Sequence, residues 1–99
     1  MNNLTLVDLF LNEYWIEKGL SENTVQSYRL DLTALCDWLD KQNLSLETLE
    51  PLDLQQFLGS RLEQGYKATS TARMLSAMRK LFQYLYREKY RTDDPSAEI

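Results

Sequence analysis

The sequence contains no histidine, one cysteine, two prolines and three glycines in 99 residues. Each shortage removes a class of function. Without histidine the commonest general base and metal ligand is missing, and Cys36 alone cannot assemble a transition-metal site. A single cysteine also excludes an internal disulfide and fits a reducing cytoplasm; neither cofactor nor metal is expected. The glycines stand apart at Gly19, Gly59 and Gly65, so no Gly-rich loop is available to cradle a phosphate. No apolar run approaches the roughly 18–20 residues of a membrane span, and no secretory signal pattern opens the chain. The carboxylates are scattered where solvation and helix capping explain them better than paired acid–base work. Nothing in the sequence supports catalysis by these residues on their own.

What is present reads as one soluble domain over residues 1–99, with 43% hydrophobic and 26% charged residues. The periodicity is helical throughout, and no segment alternates as a strand would. It predicts helices over 5–18, 22–42, 52–64, and from 69 or 70 to 89. Leu6, Leu9, Phe10 and Tyr14 mark the first, and Gly19 supplies a left-handed stop. Ser21 caps the second, whose apolar stripe is Val25, Tyr28, Leu32, Leu35, Cys36 and Leu39. Cys36 is therefore expected to be buried. The opposite face, with Asn23, Gln26, Ser27, Leu30 and Ala34, carries little charge. Residues 43–50 form a connector with a short turn, and Pro51 stands where a third helix begins. Gly59 within that helix costs about 1 kcal/mol against alanine, which argues for close backbone packing there. Asp93-Asp94-Pro95 breaks the pattern, and the tail reads as the start of a linker.

Charge is sharply segregated. The chain as a whole is acidic, with net charge −4. Residues 67–91, in contrast, carry seven basic residues (Lys67, Arg73, Arg79, Lys80, Arg87, Lys89, Arg91) and one acid, Glu88. On a helical wheel centred on Met78, Thr71, Met74, Leu75, Leu81, Phe82 and Leu85 form an apolar stripe. Thr69, Arg73, Ser76, Lys80, Gln83, Tyr84 and Arg87 lie opposite. Hydroxyls and free amides at a helix start suit a phosphate, and an arginine further in suits base edges of the major groove. Arg87, Lys89 and Arg91 also complement the negative end of the helix dipole. Arg73 and Lys80 lie mid-helix with no acid four residues away, which favours binding. The competing reading is a helical interaction module whose basic helix docks on an acidic protein partner.

The run from Tyr66 to Lys89, Asp93-Asp94-Pro95-Ser96-Ala97, and Leu20-Ser21-Glu22-Asn23-Thr24 followed by Tyr28, Asp31-Leu32 and Trp38-Leu39 resemble the tyrosine recombinases of the phage integrase family. The resemblance covers essentially the whole chain. It implies an all-α, four-helix SAM-like core-binding domain, an orthogonal helix bundle that forms half of a C-shaped clamp on double-stranded DNA. The family's catalytic residues (Arg, Lys, His, Arg, a second His or Trp, and the Tyr nucleophile) belong to a second domain, so none is carried over. The chain accordingly looks like an N-terminal fragment ending just before an interdomain linker. In the family the second and fourth helices face the major groove, which marks Thr24, Gln26 and Ser27, then Thr69, Ser70, Thr71, Arg73, Arg79 and Lys80. Ser76 and Arg87 join them from the wheel. In family members the first helix contributes to contacts between neighbouring protomers, which makes Leu6, Phe10 and their neighbours candidates for a partner surface, although burial in the core is the better-supported role for most of them. The implied setting is cytoplasmic chromosome dimer resolution at cell division, with a sister recombinase in a tetrameric synapse on a recombination half-site. The fragment itself is expected to be monomeric.

Overall fold

The computed structural model describes residues 1–99 and contains four helices and no strand: α1 (Asn3–Lys18), α2 (Glu22–Lys41), α3 (Pro51–Glu63) and α4 (Ala68–Arg87). They fall into two compact units, Met1–Leu46 and Glu47–Ile99.

In the first unit α1 packs on α2. Leu6, Val7, Phe10 and Leu11 of α1 are buried, as are Leu32, Leu35, Cys36 and Leu39 of α2. Leu9, expected on the core side, is exposed. Helix α1 begins two residues earlier than the apolar pattern suggested, because Asn2 rather than Thr5 sets the start. The Asn2 side chain accepts the Thr5 N–H at 2.8 Å. Asn3 then turns inward. Its Nδ2 donates to Asp40 Oδ1 at 3.0 Å and to the Leu44 carbonyl at 3.2 Å, while its Oδ1 accepts the Leu46 N–H at 2.8 Å. One amide thus ties the start of α1 to the end of α2 and to the connector beyond it. Ser21 caps α2 as expected, accepting the Thr24 N–H at 3.2 Å.

Each helix stops by the same device, a residue in the left-handed region just past its end. Gly19 serves α1 and Gly65 serves α3. Asn43 (φ 57°) and Lys89 (φ 65°) do so for α2 and α4 despite their side chains. The bonds Leu44 N–H to Leu39 O (2.9 Å) and Tyr90 N–H to Leu85 O (2.9 Å) close these last turns. Lys89 therefore lies beyond α4 rather than within it.

In the second unit α3 packs on α4. Leu54 and Phe57 are buried, and so is Arg61, whose guanidinium lies 4.0 Å from the Tyr66 ring centroid and 5.9 Å from that of Phe57. Along α4, Met74, Ala77, Met78, Leu81, Phe82, Tyr84 and Leu85 are buried. The centre of this stripe falls between Leu81 and Leu85, about 40° round from Met78 at 100° per residue. That rotation draws Ala77 and Tyr84 inward and leaves Leu75 and Thr71 only half-buried. Tyr84, expected to face outward, is 7% exposed and sits against Tyr90 with ring centroids 6.3 Å apart.

The tail is folded rather than linker-like. Arg91 is buried, donates to the Leu49 carbonyl at 2.8 Å and to Asp93 at 3.1 Å, and lies over the Phe82 ring. Asp94 Oδ1 accepts both the Ser96 N–H (2.9 Å) and its hydroxyl (2.6 Å), and Pro95 and Ser96 are buried. Arg91 is thus a packing residue. Its charge is already met within the unit.

Gly59 does not mark a close approach: a Cβ built there meets nothing within 4 Å. Gly59→Ala should therefore raise stability by about 0.5–1 kcal/mol in urea denaturation, the helix-propensity difference alone. Asn3→Ala should lower it by about 1–3 kcal/mol in the same measurement, because the Leu46 N–H is left buried without an acceptor.

Candidate nucleic-acid interface

Rotation of α4 redistributes its polar residues. Opposite the buried stripe lie Ala72, Ser76 and Gln83, with Thr69, Arg79 and Arg87 close beside them and Arg73 and Lys80 on one flank. Thr69, Arg73, Arg79 and Arg87 are exposed; Ser70, Ser76 and Lys80 are half-buried. Lys80 Nζ donates to Ser76 Oγ at 2.8 Å, so these two predicted residues act as one hydrogen-bonded pair. Arg87 extends along the Tyr84 ring, 5.7 Å from its centroid. Arg79 donates to the Ile99 carbonyl. Arg79 lies nearer the middle of the exposed face than Arg73 does.

Thr71 is half-buried. Its hydroxyl is buried and makes no hydrogen bond. Its place on the apolar stripe explains this: α4 begins at Ala68, so Thr71 already lies within the first turn and on the inward side. The start of α4 is preceded by Lys67, whose side chain makes no capping bond. The first amides of the helix are therefore not capped by that residue, in a setting where the dipole favours an anion.

On α2 the predicted residues occupy the first two turns. Gln26 is exposed, and Thr24 and Ser27 are half-buried. Thr24 is engaged locally, its hydroxyl 3.0 Å from Ser21 Oγ in the cap. Arg29, the cation nearest this face, is paired with Asp8 of α1. The α2 surface is consequently polar and nearly uncharged, whereas the α4 surface is strongly basic. Leu6 and Phe10 are fully buried and cannot form a surface for neighbouring protomers. The exposed apolar residues of α1 are instead Leu4, Leu9, Trp15 and Ile16, of which the sequence pattern had counted Leu9 with the core side.

The chain holds no cluster of three or more His, Cys, Asp or Glu arranged to bind a metal ion, and no helix is long and apolar enough to cross a membrane. Cys36 is buried, and burial, reinforced by Asp40, Asp37 and Asp8, pushes its thiol up to about 12. A thiol so held is not a nucleophile near neutral pH.

Residues 7–89 match the model of the phage integrase N-terminal SAM-like domain. Over 99 residues the chain is 88% identical to the tyrosine recombinase XerD of Haemophilus influenzae and 74% identical to that of Pasteurella multocida, covering 100% of this chain and 33% of each relative. Identity to the Yersinia pestis tyrosine recombinase XerD is 61% over 92 residues, covering 93% of this chain and 31% of that protein. The chain thus spans about a third of the length of the curated relatives it matches.

The Cys36 shift gives a signed pH dependence. The folded thiol keeps its proton above its ordinary value of 9.0, so its contribution to stability is complete below about pH 9 and is lost as pH rises towards about 12. Urea titrations of the wild type and Cys36→Ala from pH 8 to 10.5 should show a steeper alkaline loss for the wild type. Thiol labelling of the native chain at pH 7.5 should proceed only as fast as the protein opens.

Proposed function

Because the chain belongs to the family of phage integrase N-terminal SAM-like domains, we propose that it binds double-stranded DNA with sequence preference, as the N-terminal half of a site-specific tyrosine recombinase clamp. The observation that carries this reading is the α4 surface. A helix whose inward face is apolar sets Thr69, Arg73, Arg79 and Arg87 in solvent, in a chain whose other segments are net acidic. Such segregation directs one face to a polyanion and turns the remainder away. The cations supply phosphate contacts and counterion release, and an arginine reaching into the groove supplies base readout. The uncharged polar face at the start of α2, with Gln26 and Ser27, adds hydrogen-bonding groups suited to base edges rather than to phosphates.

Strand cleavage through a phosphotyrosine link is assigned to the part of the recombinase that this chain does not span. The absence of histidine in the sequence supports that division of labour. The wider role that follows is chromosome dimer resolution in the cytoplasm at cell division. There the recombinase acts with a sister recombinase in a tetrameric synapse, while this stretch alone remains monomeric and uses no cofactor.

Fluorescence-anisotropy titration against short duplexes tests the reading, and affinity should fall steeply as salt rises. Arg73→Ala should cost about 1–3 kcal/mol and relax preference at one base pair, the signature of a bidentate guanine contact. Lys80→Ala should weaken all sequences alike and reduce the salt slope by about one unit. Equal affinity for scrambled and preferred duplexes, with no salt dependence, would return the basic helix to the role of a docking surface for an acidic protein.

A further inference from the structure

We infer that Leu30 reads the DNA as well, by apolar contact with the C5-methyl group of a thymine in the major groove. The inference rests on the DNA-binding reading above and specifies what one helix face recognises. Leu30 is 72% exposed. At about 100° per residue it lies opposite the buried stripe of Leu32, Leu35, Cys36 and Leu39, at the centre of the outward face of α2. Gln26 and Ser27 precede it by one turn, and Thr33 and Ala34 follow it by one turn. None of these four neighbours is charged, and the acid that shares this face, exposed Asp37, lies two turns further on. Of the charged residues next to it in sequence, Asp31 is buried and Arg29 is paired with Asp8.

Three other strongly exposed aliphatic residues within helices are differently placed. Ile16, 80% exposed, has Glu13 one turn away and Glu17 beside it; Leu52 adjoins Asp53, and Leu62 adjoins Glu63. Carboxylates so close would be repelled by the phosphate backbone. Leu30 has no exposed carboxylate within one turn of it along α2. A leucine can neither donate to a base edge nor attract a phosphate. The feature of the major groove that it fits is the thymine methyl, the apolar group that separates A·T from T·A and from both G·C orientations. The methyl groups of Thr33 and Ala34 extend the apolar strip, and the Gln26 amide suits the N6/N7 edge of an adenine in the same stretch. Burial of Leu30 against such a methyl also removes from water a side chain that the free chain leaves exposed.

The experiment begins by selecting a preferred duplex from a randomised pool with this chain. Each thymine of that duplex is then replaced in turn by uracil, which deletes the methyl and keeps the pairing. The wild type should lose about four-fold in affinity at one or two adjacent positions, the factor that burial of a single methyl group gives. Leu30→Ala should bind the unmodified duplex about four-fold more weakly and show no further loss at those positions. Alanine at an exposed helical site keeps the helix, and an unchanged melting curve verifies it. A wild type indifferent to every uracil, or a Leu30→Ala variant that loses as much as the wild type at the same positions, overturns the inference and leaves DNA binding intact. Failure to enrich any duplex overturns the DNA-binding reading itself, and this inference with it.

Discussion

Burial of the apolar stripe of α4 is the constraint on which the basic surface depends. Met74, Met78, Leu81, Phe82 and Leu85 are each fully buried, and each contributes on the order of 1.5–3 kcal/mol by leaving water. Exposed cations on a helix contribute far less, typically tenths of a kcal/mol apiece. The apolar residues therefore decide the rotation of the helix, and the cations take whatever directions remain. With the stripe centred between Leu81 and Leu85, those directions place Gln83 and Ser76 outermost, Arg79 and Arg87 beside them, and Arg73 and Lys80 on a flank. A binding surface is thus set by residues that never meet the ligand.

Few polar side chains are buried, and several of them bond to backbone groups that would otherwise lack partners. Asn3 satisfies the Leu46 N–H and the Leu44 carbonyl, holding the connector in the first unit. Arg91 satisfies the Leu49 carbonyl and holds the tail in the second. An unsatisfied buried amide or carbonyl costs about 1–3 kcal/mol, so each of these side chains fixes a segment that has little regular structure of its own. Arg91 also shows how a cation counted with the basic surface on charge alone can be wholly occupied by packing.

The helices were legible because their signals are local. Ser21 as a cap, Gly19 and Gly65 as stops and Pro51 as a first residue each act within one turn, so composition and spacing suffice to place them. Asn43 and Lys89 were not recognisable as stops, since a left-handed residue with a side chain is imposed by the bonds around it and not by its own preference. Gly59 misled for a related reason. Glycine inside a helix signals either close approach or nothing, and only the open space above it distinguishes the two. Tyr84 and the tail were missed because an amphipathic wheel has no knowledge of what covers its edges.

The candidate site divides along the same line. Period 3.6 and residue type by themselves determined that the helix within residues 67–91 has an apolar side and a basic side. Those properties follow from covalent geometry and side-chain chemistry. The angular position of each cation, the burial of the Thr71 hydroxyl, the pairing of Lys80 with Ser76 and the exposure of Leu30 among uncharged nearest neighbours were decided only by tertiary packing. Shape complementarity resolves a helix rotation of about 40° that hydrophobic periodicity, broad by nature, leaves undetermined.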